Sequence, residues 1–178
     1  MPQRVWFERT FVLGTPIESF PEILERLRGT PARLEERLHH IPAHILTRRH
    51  GDRWSIQEHA GHLADLEPLW FGRVEDLAAG QETLRPADLE NTATWQADHN
   101  EGTAAAVLAA FRSRRARLVE RLESLDDADL RATALHPRLG QEMTVVDLCF
   151  FVAEHDDHHL ATVSKLIDII KGCRSRRL

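Results

Sequence analysis

Apolar residues recur at helical spacing in four stretches, while strand-like alternation is confined to a possible short piece at "WFERTFVL". The first stretch, "IESFPEILERLRGTPARLEERLHHI", is interrupted at Gly29-Thr30-Pro31, which either kinks one helix or separates two short ones. The second, "WSIQEHAGHLADLEPLWFGRVEDLAAG", opens where Ser55 is followed three residues later by Glu58, the spacing of a capping box, and has Gly80 as its stop. Pro68 lies inside it and removes the amide that would bond back to Ala64, so a bend is expected just after the histidine-bearing turn. The third, "EGTAAAVLAAFRSRRARLVERLESL", carries Leu108, Phe111, Leu118 and Leu122 on one stripe with its arginines outside. The fourth runs from Thr144 to about Ile170, with Thr144 and Asp147 as a capping pair and Gly172 as the end signal.

The pattern is all-α. Long links follow the second and third helices, containing "RPADLENTATW" and "ALHPRLGQEM", and such lengths permit a crossover bundle rather than a simple up-and-down one. The size of the chain, 178 residues with 42% hydrophobic, suits one domain over residues 1–178, with 1–15 an N-terminal extension and 173–178 a basic tail.

Charge narrows the function classes. A formal net charge of -5 gives no general reason to expect nucleic acid or an acidic membrane as partner, and the basic end "KGCRSRRL" reads as cations closing a helix C-terminus. With only Cys149 and Cys173 there is no disulfide framework, no run approaches 18 apolar residues, and "MPQRVWFERT" lacks a signal pattern. A soluble cytoplasmic protein is the expectation.

The chemistry is concentrated in "VAEHDDHHLATV", residues 152–163. On a helical wheel Leu148, Phe151, Val152, His159, Val163, Leu166 and Ile170 fall within about 80° of His155, so His155 and His159 share the core stripe. Asp157 swings to solvent, while Asp156 and His158 sit at the edges of the stripe, where a side chain can lean out to water. Two inward imidazoles at i and i+4 either chelate one metal ion or form a hydrogen-bonded polar core. On the second helix His62 shares its face with Leu66 and Leu69 and supplies a third inward histidine, with Glu58 and His59 flanking it one turn earlier.

Three histidines from two helices fit a site that leaves coordination positions for water or substrate. Glu58 and Asp65 are the carboxylates placed to orient ligands or shuttle a proton, although Glu58 also closes the capping box. His39, His40, His44, His50, His99 and His136 read as surface or loop residues. Cys149 lies about 120° from the His155 face and reads as a packing residue. Trp54, Trp70 and Trp95 either line an apolar pocket or pack the core and bundle ends.

Through "WSIQEHAGHLADLE", "HPRLGQEMTVVDLCFFVAEHDDHHL" and "ERLRGTPARLEERL" the chain resembles the DinB/YfiT-like superfamily of metalloenzymes, over most of its length apart from the first dozen or so residues. The resemblance implies a four-helix bundle of up-down-down-up topology, often a homodimer, holding a divalent metal on three histidines at positions matching His62, His155 and His159. It further implies a small-molecule substrate and either hydrolysis or transfer dependent on a low-molecular-weight thiol. Imidazole ligands suit zinc, nickel and iron alike. Two other readings use the same residues: a stress-related metal or small-molecule binding module without turnover, and a bundle whose histidines are polar core.

Overall fold

Sequence-local signals set the ends of the long helices in the computed structural model, which describes residues 3–175 along the backbone and side chains as far as residue 170. Seven α-helices follow one another: α1 Phe20–Leu38, α2 Ala43–Leu46, α3 Ile56–Ala78, α4 Thr92–Gln96, α5 Ala104–Glu123, α6 Asp127–Arg131 and α7 Val145–Ser175. The capping box at Ser55 and Glu58 forms as expected and starts α3. Asp147 and Thr144 bond reciprocally at the start of α7, and Asp147 Oδ1 also accepts from the amides of Gly14 and Thr15, 2.9 and 2.8 Å away.

Four helices, α1, α3, α5 and α7, make the bundle, and their side-chain pairs give its order. Arg26 reaches Glu154, Arg33 reaches Asp157 and Arg37 reaches Ser164, so α1 and α7 run parallel. Glu67 pairs with Arg115 and Glu75 with Arg121, so α3 and α5 are parallel too. Arg28 meets Glu123 while Glu35 meets Arg112, which makes α1 and α5 antiparallel. His62 faces His155 and Trp70 faces Phe151, so α3 and α7 are antiparallel as well. The topology is up-down-down-up.

Neither internal proline divides its helix. Pro31 cannot bond back to Leu27 and Pro68 cannot bond back to Ala64, which leaves two carbonyls without an amide. Consecutive side chains of α5 supply the donors: Arg115 Nη1 lies 3.0 Å from the Leu27 oxygen and Arg114 Nη1 lies 2.7 Å from the Ala64 oxygen. The arginines of α5 are therefore not all outside, as its stripe suggested. Arg115 is fully buried between Glu67 and Asp156. Asp156 is buried with it rather than leaning out to water. Half-buried Asp157 is held by Arg26 and Arg33.

Three further expectations are corrected. The link around "ALHPRLGQEM" folds as an antiparallel hairpin, β1 Thr133–His136 with β2 Gln141–Thr144, in which Thr133 faces Thr144 and His136 faces Gln141. Gly140, at φ +64, makes its turn, and the strands are too short for a periodic signal. The segment "WFERTFVL" contains a 3-10 turn at Trp6–Glu8 rather than a strand. Helix α7 continues past Gly172 to Ser175. The side chains of the basic end lie outside the described residues.

Two apolar clusters fill the bundle. One contains Leu27, Trp70, Leu118, Phe151 and Val152, and the other Leu34, Leu63, Phe111, Leu160 and Val163. Along α7 the buried polar residues His155, Asp156 and His159 fall between them, so the polar layer lies at the waist of the bundle.

Candidate metal centre

The antiparallel pairing of α3 and α7 sets His62 against both histidines of the i, i+4 pair. Ring centroids are 5.4 Å apart for His62 and His155, 4.7 Å for His62 and His159, and 4.5 Å for His155 and His159. Each of the three offers one donor nitrogen within 4.8 Å of the other two. All three are buried.

Burial dominates their electrostatics. It lowers the pKa of His62 to about 3, with His59 and His99 adding like charge, and holds His155 and His159 well below the ordinary value. The imidazoles are neutral at physiological pH and present lone pairs. His62 Nδ1 is 3.1 Å from Thr94 Oγ1, and His159 Nδ1 is 3.0 Å from His59 Nδ1, contacts that fix ring orientation and leave the opposite nitrogens for other work. His155 Nδ1 is buried without a hydrogen-bond partner. An orphaned nitrogen among convergent neutral imidazoles is the donor chemistry of a divalent metal site.

The trio opens into a cavity of about 390 Å³. Its walls include Trp6, Trp54, Leu66, Leu69, Trp70 and Phe151, with Arg73, His136 and Arg138 also lining it. Trp6 comes from the N-terminal segment, which Gln3 and Arg9 fasten to His158 and Glu154 of α7. Trp54 and Trp70 reach the cavity, whereas Trp95 is exposed and packs edge-on against Trp54.

Both carboxylates singled out from the sequence are engaged away from the trio. Glu58 is taken by the Ser55 amide and the Arg49 guanidinium; burial opposes its ionisation, but these hydrogen bonds prevail and lower its pKa. Asp65 Oδ2 lies 2.7 Å from His99 Nε2. His39, His40, His44 and His50 are exposed as expected, but His99 is half-buried and His136 is buried in the cavity wall. Cys149 is a buried packing residue whose thiol burial pushes up to about 12. Spacing gave no hint of His136, Arg73 or Arg138, because the hairpin that delivers two of them was not legible.

Fold and site define a four-helix bundle protein of crossover order, with a buried three-histidine cluster facing an apolar cavity. The chain belongs to the DinB superfamily, whose sequence profile matches residues 4–163. Among solved structures it is similar to YfiT from Bacillus subtilis, described as a probable metal-dependent hydrolase with an unusual four-helix bundle topology; the TM-score is 0.77 at 20% identity, covering 92% of this chain and 94% of that one. It is also similar to a mycothiol-dependent maleylpyruvate isomerase, with a TM-score of 0.66 at 14% identity over 85% of this chain. The chain spans 62% of that isomerase. No curated protein matched the sequence. No helix among the described residues is long and apolar enough to cross a membrane.

Proposed function

We propose that the protein is a metal-dependent enzyme of hydrolase or thiol-transferase type, acting on a small molecule held in the central cavity. The observation that carries this reading is the convergence of three buried, neutral histidines on a cavity of substrate size. His62, His155 and His159 are the residues that would hold a divalent ion, with zinc, nickel and iron all compatible with three imidazoles. An ion held by these residues would supply Lewis acidity, lowering the pKa of a water or thiol toward neutrality.

The chain's own residues do the rest. Thr94 and His59 orient His62 and His159 through their second nitrogens. Trp6, Trp54 and Trp70 wall the cavity and exclude water from the reacting groups. The likeness to YfiT supports hydrolysis, and the likeness to a mycothiol-dependent isomerase supports a low-molecular-weight thiol as cosubstrate.

Elemental analysis of protein purified without a nickel column tests the reading. Near one metal per chain in wild type, lost in H62A, H155A and H159A, supports it, and turnover screens with water and thiol nucleophiles follow. Absence of metal after reconstitution leaves the histidines as polar core.

A further inference from the structure

The cavity has a second chemical pole that the proposed metal centre does not use. Arg73 on α3 is buried, and its guanidinium carbon lies 5.5 Å from the centre of the Trp70 ring; the His155 ring lies 5.7 Å from that same indole. Trp70 thus links a cationic end to the histidine end. Arg138, in the hairpin turn, places its guanidinium carbon 5.4 Å from the Phe7 ring centre and 5.8 Å from that of Phe151, and its Nη2 is buried with no hydrogen-bond partner.

Between the two arginines stands His136. The amides of Arg138 and Leu139 both donate to its Nδ1 at 3.2 Å, so the neutral ring carries its proton on Nε2. Nε2 lies 3.0 Å from Arg73 Nη1, which also only donates. Two N–H groups therefore face each other in the cavity wall without an acceptor between them.

The nearby acids are committed elsewhere. Asp76 pairs with Arg85, and Asp88, also on the cavity wall, accepts from the amides of Glu90 and Thr92 at 3.0 and 2.6 Å. Burial lowers Arg73 to about 10, with Asp76 opposing and Arg138 and Arg85 reinforcing the shift, which still leaves it cationic at neutral pH.

We infer that Arg73, His136 and Arg138 form a carboxylate-binding subsite, and that the ligand is a small organic acid with an apolar body lying along Trp70 and Phe151. A carboxylate supplies the missing acceptor to Arg73 and His136 and matches the planar fork of a guanidinium. The subsite deepens the proposed function by naming the substrate class, and it rests on that reading for the reaction but not for binding.

Binding is measured by tryptophan fluorescence on the full chain, metal-free and zinc-loaded, with 4-phenylbutyrate, 4-phenylbutyramide and phenyl phosphate as probes. The acid should bind about tenfold or more tightly than the amide in both forms, and R138Q, checked for folding by thermal denaturation, should erase that preference. Equal binding of acid and amide to wild type, wild-type preference in folded R138Q, or tighter binding of phenyl phosphate than of the acid would overturn the subsite. Metal content of the same samples separates the two ideas. An Arg138-dependent preference in a chain that takes up no zinc on loading sinks only the metal reading, and zinc uptake without the preference sinks only the subsite.

Discussion

Arg115 Nη1 donates to the Leu27 carbonyl oxygen across 3.0 Å, in the place that the missing amide of Pro31 would have filled. The same guanidinium bonds Glu67 and Asp156, so one side chain completes α1 and ties α3, α5 and α7 together directly beside the histidine pair. Burial alone would lower its pKa, but the two carboxylates more than reverse this and hold it charged. Replacing Arg115 with methionine leaves two buried carboxylates and one carbonyl unpaired. Chemical denaturation should register a loss of about 3–5 kcal/mol for R115M, the range for breaking a buried ion pair. A loss below about 1 kcal/mol would mean that water enters and replaces the guanidinium.

The bundle was legible because its signals are local. Ser55 and Glu58 cap α3 wherever α3 packs, and the i, i+4 spacing of His155 and His159 fixes their shared face. The wheel puts Asp156 only at the edge of the stripe, because a wheel built on one helix cannot see the arginine that another helix brings to it. The two prolines were a usable sign, since each frees a carbonyl that needs a donor, but only the fold names Arg114 and Arg115 as those donors. The pole at Arg73, His136 and Arg138 depends on a hairpin of two four-residue strands and a long crossover, both products of tertiary contact rather than periodicity.

Gly61 marks a second contact invisible to spacing. A Cβ placed there would lie 2.2 Å from His99 Cδ2, and His99 is held by Asp65 and, through its carbonyl, by Gln57. Helix propensity alone favours alanine over glycine by up to about 1 kcal/mol. The clash should outweigh it, so G61A is expected to lose about 1–3 kcal/mol in thermal denaturation. In an H99A background the same change should be neutral or stabilising. If G61A stabilises the wild-type chain, His99 does not pack on α3 as described.

Acid should weaken the metal-free protein well before carboxylates titrate. Burial first, then the neighbouring His158, brings His59 down to about 4, and His62 lies lower, at about 3. The unfolded chain takes up protons at these histidines near pH 6.5 while the folded chain does not, so the unfolded state binds more protons and stability falls as pH falls. Each such histidine contributes up to about 1.4 kcal/mol per pH unit below 6.5. The urea midpoint should therefore drop steadily from pH 7 to pH 5, and less steeply in H62A. A flat profile over that range would show that the rings are protonated, or reached by water, in the folded state.

Metal should raise thermal stability, because an ion bound only by the folded chain shifts the equilibrium by mass action, about 2.7 kcal/mol at a hundred times its Kd, and the rise should shrink in acid as protons compete for the same imidazoles. H159A removes one of three donors and should lose the zinc-dependent rise in Tm along with most of the bound metal. H158A is the matched control: His158 lies one residue away, lines the same cavity, and has its Nδ1 engaged 3.1 Å from Gln3 Nε2. It should keep the zinc response. A response lost in H158A and kept in H159A would reverse the facing of α7 toward the proposed ion, and a response kept in both would move the metal away from the three-histidine cluster altogether.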